Sequence, residues 1–67
     1  MDTFGKRLRQ LREERGLHQS HVAELVGVTF QSYSSWELDK YQPDFRALGI
    51  LVEFFNTTLD YLILGKE

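Results

Sequence analysis

The chain has 67 residues, 42 % hydrophobic and 27 % charged, with a formal net charge of −2 at pH 7. That mix fits one small globular domain with a thin core, and excludes a disordered chain or a two-domain protein. There is no cysteine, which removes disulfides, thiol redox chemistry and thiolate zinc sites.

Strand signals are weak: β-branched residues are scattered and no alternating run is bounded by turn residues, so helical periodicity dominates. The first helix is expected over about residues 3–15, with Asp2 or Thr3 as its cap. Phe4, Leu8 and Leu11 fall on one face, and the other faces carry Lys6, Arg7, Arg9, Arg12 and Arg15. Such a basic face is ordinarily solvated. Gly16 supplies a left-handed residue to end the helix, and Leu17 folds back on it.

A second, short helix is expected over about residues 19–26, with Val22, Leu25 and Val26 apolar and Ala23 beside them. Gly27 breaks it, and Thr29 caps a third helix from Phe30 to about Leu38 with Tyr33 and Trp36 inward. Asp39 is suited to ending that helix, since Asp tolerates the left-handed region. Residues 39–43, ending at the single proline, Pro43, form the one true loop. Asp44 caps a fourth helix in which Phe45, Leu48, Leu51, Val52 and Phe55 keep core spacing. Gly49 inside it marks a close helix approach. Asn56 ends it, Thr58 caps a fifth helix with Leu59, Leu62 and Ile63 apolar, and Gly65 closes that one.

Residues 19–38 therefore read as helix, tight glycine turn, helix. Two helices meeting at about 90–120° through a short turn need a small side chain at the contact, glycine at the reversal and large apolar groups behind the second helix. Ala23, Gly27 and the pair Tyr33 and Trp36 stand at those places. Such a pair presents the N-terminal half of its second helix outward, where it can enter the DNA major groove. The acidic balance of the chain pulls the other way, because nucleic-acid binders usually carry a basic footprint.

The chain resembles the helix-turn-helix domain of lambdoid phage repressors and Cro, the xenobiotic-response-element family. The resemblance rests on LRQLREERGLHQ (8–19), Ala23, Gly27–Val28, Trp36–Glu37, Lys40, Pro43 and LDYLILG (59–65). It implies an all-α, compact five-helix, lambda-repressor-like domain spanning residues 1–67, with its motif at about 19–38. It also implies a regulator of transcription, a bacterial or phage-type repressor that binds a palindromic operator in double-stranded DNA as a homodimer. Phe30, Gln31 and Ser32, with Ser34 and Ser35 a turn later, take the base-reading positions. Gln19, Thr29, Lys40 and Arg9 take phosphate positions. Arg12 and Glu37 take the place of a buried pair tying the first helix to the third.

A glutamine amide can pair two-pronged with adenine, which makes Gln31 the leading reader. Phe30 stays open between a core residue, a contact to a thymine methyl group and an anchor for another protein. The third helix carries no Lys or Arg, and His18 replaces the usual Ser or Thr cap. The acidic balance, a third helix without basic residues and an exposed Phe30 support an alternative, a protein-interaction module that keeps the fold with little DNA binding. His18 and His21, without a third ligand, do not make a metal site. No paired carboxylates, nucleophile–base set or phosphate-cradling loop is present. The expectation is thus no enzyme, catalytic residue, cofactor, metal or small-molecule substrate. No apolar run approaches the roughly 20 residues of a membrane span, and MDTFGKRLRQ is no secretory signal, so a cytoplasmic protein without a membrane partner is expected. Phe54, with Tyr61 or Leu64, is the candidate apolar patch for a partner. The dimer contact is expected in the loop after the fourth helix and in the fifth helix.

Overall fold

The computed structural model describes residues 2–66. Local side-chain chemistry starts four of its helices. Thr3 Oγ1 accepts the Lys6 N–H at 3.2 Å and opens α1 (Phe4–Glu14). After the Gly16 turn come α2 (Gln19–Val26) and α3 (Phe30–Glu37), the latter opened by Thr29, whose Oγ1 accepts the Ser32 N–H at 3.1 Å. Asp44 Oδ1 accepts the Ala47 N–H at 2.8 Å at the head of α4 (Phe45–Phe54). Thr58 Oγ1 accepts the Tyr61 N–H at 3.0 Å and leads into α5 (Asp60–Leu64), a single turn wound as a π-helix. These caps satisfy backbone donors that no helix can satisfy for itself.

The helices close around Leu8, Val22, Ala23, Val26, Tyr33, Trp36, Ala47, Leu48, Leu51, Phe55 and Leu62. The α2 helix packs mainly on α3, and α1 spans from α3 to α5. The resulting body measures 28 × 24 × 23 Å.

Periodicity misplaces several residues. Phe45 is 90 % exposed: it is the first residue of α4, and the core members of that helix begin only at Ala47. Leu25 is exposed because the face that α2 buries runs through Val22, Ala23 and Val26. Leu59 and Ile63 are exposed as well. The one wide turn of α5 sends only Leu62 into the core, whereas a 3.6-residue spacing would stack its neighbours beside it. Gly49 is not a close approach, since a Cβ there would meet open space. The close approach is at Gly5, where a Cβ would run into the backbone carbonyl of Glu37.

The basic face of α1 is not wholly solvated either. Arg7 is buried. Its Nε donates to Leu62 O at 3.0 Å, its Nη2 donates to Ile63 O at 3.0 Å, and its Nη1 faces Asp2 Oδ2 at 3.1 Å. The last turn of α5 has carbonyls in need of donors, and Arg7 supplies them from the first helix.

Candidate nucleic-acid interface

The α2–α3 pair is built as the spacing requires. Gly27 takes a left-handed conformation (φ 84°), and its N–H and that of Val28 both return to Ala23 O, at 2.9 and 3.0 Å. A residue with a Cβ is disfavoured in that conformation, so glycine fixes the turn. Ala23 is buried at the helix contact, with Tyr33 and Trp36 buried behind α3 in an edge-to-face pair. At the head of α2, the His18 N–H donates to His21 Nδ1 at 3.3 Å, so the histidines form a local cap. Among the described residues no cluster of three metal-ligating side chains occurs.

The expected base-reading residues divide in two. Phe30, Gln31 and Ser32 are exposed on the first turn of α3, with Phe30 49 % accessible. Ser34 and Ser35 are half-buried, and the Ser35 hydroxyl donates to Ser32 O at 2.6 Å within its own helix. Thr29 is exposed, and its hydroxyl donates to Ser32 Oγ at 3.1 Å. Lys40 is exposed just past the end of α3, its N–H held by Ser35 O at 3.0 Å. Arg9 is exposed on α1, its Nε 3.0 Å from Glu13 Oε2. Arg9, Arg12, Gln19, Glu37 and Leu38 line one open cleft where α1, α2 and α3 meet.

The floor of that cleft is an ionic network. Arg12 Nε donates to Glu37 Oε2 at 2.7 Å, its Nη2 donates to Glu37 Oε1 at 3.1 Å, and its Nη1 donates to Leu17 O at 2.8 Å. The two side chains are 12 % and 3 % exposed. Tyr33 OH donates to Glu37 Oε2 at 2.6 Å, and Gln19 Nε2 donates to Glu37 Oε1 at 2.9 Å. Burial pushes the Glu37 carboxyl up, but the hydrogen bonds from Arg12, Tyr33 and Gln19 outweigh it and hold the group below its usual range. The bond to Glu37 raises Arg12. Burial, then the neighbouring carboxylate, drives the Tyr33 phenol far above its usual range.

A second tie went unread in the sequence. Asp39 does take a left-handed conformation (φ 60°), as its residue type suggests. Its carboxylate also accepts the Gly5 N–H at 2.8 Å and the Thr3 hydroxyl at 2.6 Å. The residue that ends the exposed helix is thereby clasped to the head of α1, where a negative charge is favoured. The signal was an acid at a left-handed helix end, where its carboxylate is free to reach another element.

Comparison with known proteins places this geometry. The family model described as Helix-turn-helix matches residues 8–62. The SPbeta prophage-derived uncharacterized HTH-type transcriptional regulator YonR of Bacillus subtilis is 34 % identical over 64 residues, covering 96 % of this chain and 59 % of that protein. The HTH-type transcriptional activator BcrR of Enterococcus faecalis is 36 % identical over 64 residues, covering 96 % of this chain and 31 % of that protein. The chain thus spans between about a third and three fifths of the length of these curated relatives. The crystal structure of the P22 c2 repressor in complex with a synthetic operator superposes with a TM-score of 0.91 at 27 % identity, covering 98 % of this chain and all of that one.

Proposed function

The chain belongs to the helix-turn-helix family of the Cro/C1 type, and from that membership we propose that it is a sequence-specific DNA-binding regulator of transcription that represses by occupying an operator. One observation carries the reading. The first turn of α3 offers Phe30, Gln31 and Ser32 to solvent, while the only carboxylate of that helix, Glu37, is turned inward and paired. The exposed first turn of α3 therefore carries no repelling charge of its own.

In this reading Gln31 pairs with adenine N6 and N7, and Phe30 lies against a thymine methyl group. Ser32 adds an adaptable hydroxyl, with Ser34 and Ser35 at the edge of the contact. Thr29, Gln19, Lys40 and Arg9 hold phosphates, which fixes the register of α3 in the groove. Residues 1–67 act as one recognition unit. Two copies related by a two-fold axis would set their α3 helices about 34 Å apart, on successive major-groove faces. Leu59, Ile63 and Leu64 are the exposed apolar residues of the fifth-helix region available for a contact between copies. Phe54 and Tyr61 are half-buried and contribute less than their sequence suggested.

Selection of binding sites from a random duplex pool at about 150 mM salt, near physiological ionic strength, tests the reading. An enriched imperfect palindrome with half-sites one helical turn apart is expected. No enrichment by the folded protein would replace this function with the protein-interaction role, and make exposed Phe30 its anchor.

A further inference from the structure

Gln19 is the first residue of α2 and reaches across the motif to Glu37 near the end of α3. A primary amide nitrogen carries two hydrogens in a fixed plane. Glu37 Oε1 takes one at 2.9 Å, and the other has no hydrogen-bond partner among the described residues. Gln19 is half-buried and lies on the cleft that Arg9 and Leu38 also line.

Glu37 is well placed to hold another side chain still. Its carboxylate accepts from Arg12 twice, from Tyr33 and from Gln19, so groups on all three helices fix it. Its charge is matched by the Arg12 guanidinium, which lets a carboxylate sit beside a DNA phosphate without driving it away. A glutamine side chain left free would lose most of its rotamer freedom on meeting a phosphate. One already pinned at Nε2 has lost it on folding.

We propose that Glu37 is a positioning residue for DNA: it holds the Gln19 amide by one N–H so that the other is presented to a backbone phosphate at the head of α2. The proposal rests on the reading of α2 and α3 as a DNA-binding surface. The charge pair under the motif then has two duties, joining α1 to α3 and aligning a neutral phosphate donor on α2. Coupling of this kind shows as non-additivity between Gln19 and Glu37.

The test is a double-mutant cycle on binding to the selected operator duplex, at a temperature where circular dichroism shows every variant folded. Gln19→Ala is expected to weaken binding about tenfold, the loss of one charge-assisted hydrogen bond. Glu37→Gln, whose one amide oxygen would be taken by Arg12 Nε and Tyr33 OH so that its NH2 faces Gln19, is expected to weaken it by about as much, and the double variant no further than either single one. Tyr33→Phe is the control. It removes a donor from Glu37 Oε2 and leaves the Oε1 bond to Gln19 in place, so binding should stay within about twofold.

Additive losses in the cycle, or a Tyr33→Phe loss as large as that of Glu37→Gln, would overturn the proposal and leave Glu37 a purely structural residue. A wild-type protein that binds no duplex would overturn the DNA reading itself, and the proposal with it. If Glu37→Gln does not fold, the side-chain amide signals of Gln19 in the wild type carry the test. One proton should keep its shift when operator is added while the other moves. Both moving, or neither, would refute the arrangement.

Discussion

Arg12→Ala would strip the carboxylate under the motif of its counter-charge. It removes two hydrogen bonds to Glu37 and one to Leu17 O, and leaves Glu37, 3 % exposed, with only Tyr33 and Gln19 as donors. Removing one partner of a buried pair costs about 3–5 kcal/mol, because the other charge stays behind unmatched. At about 0.05–0.15 kcal/mol per residue, a domain of this size has about 3–10 kcal/mol in total. The variant should therefore lie close to unfolding at room temperature. Its Tm should fall by at least about 12 °C, at 4–8 °C per kcal/mol for so small a domain.

Thermal and urea melts followed by circular dichroism measure this, and pH separates charge from packing. In the wild type Glu37 is held below its ordinary value of 4.5. Its contribution is therefore present above that value and is lost as pH falls through the lower, folded one. In Arg12→Ala the carboxyl has lost its main stabiliser and takes up a proton more readily, so the gap to wild type should narrow toward pH 4. Replacing the network with apolar residues, as Arg12→Met, Tyr33→Phe and Glu37→Leu together, should give a protein more stable than Arg12→Ala. Tyr33 must change as well, because its buried hydroxyl would otherwise lose its acceptor. A melt of Arg12→Ala within error of wild type, or a deficit constant from pH 7 to pH 4, would refute the reasoning.

Gln31→Ala should relax the base preference at one position of each half-site, by about 1–3 kcal/mol of discrimination, with the melt unchanged; repeating the site selection checks it. Lys40→Ala should weaken binding evenly across sequences and lower the slope of log K against log salt by about 1, read from a salt titration. Gly49→Ala should raise stability by up to about 1 kcal/mol, since its Cβ enters open space on a helix. Gly5→Ala should instead cost at least about 1–3 kcal/mol, because the new Cβ meets the Glu37 backbone; parallel melts of the two separate these outcomes.

What could be read in the sequence was local chemistry. Thr3, Thr29, Asp44 and Thr58 each bond a backbone N–H three residues on, so residue type and position suffice to find them. The Arg12–Glu37 pair spans 25 residues, and it was accessible only through the family resemblance. Arg7 and Arg9 look alike on a basic helix. Which of them is buried depends on where α5 sets its carbonyls, and no spacing within α1 encodes that. The same holds for Gly5 and Gly49, two helical glycines distinguished by what faces them. Asp39 was legible as a left-handed residue but not as a clasp, because its partners lie at the head of α1.

The apparent conflict between a net charge of −2 and a DNA-binding role resolves in where the cations go. Of the eight Lys and Arg, Arg7, Arg15 and Arg46 donate to backbone carbonyls, Arg12 is spent on Glu37, and Arg9 faces Glu13. Lys6, Lys40 and Lys66 have no side-chain partner among the described residues, and of these Lys40 alone adjoins α3; Arg9, in an exposed pair, can still turn to a phosphate. On the proposed DNA-binding reading, phosphates are then held by Lys40 and Arg9 together with neutral donors: the N–H groups at the heads of α2 and α3, and side chains such as Gln19. Non-specific binding draws almost entirely on released counterions, whereas base contacts do not. A protein poor in free cations loses the first and keeps the second. If α3 reads an operator as proposed, binding should show a shallow salt dependence and weak affinity for other DNA, and the acidity would then serve discrimination more than it weakens binding.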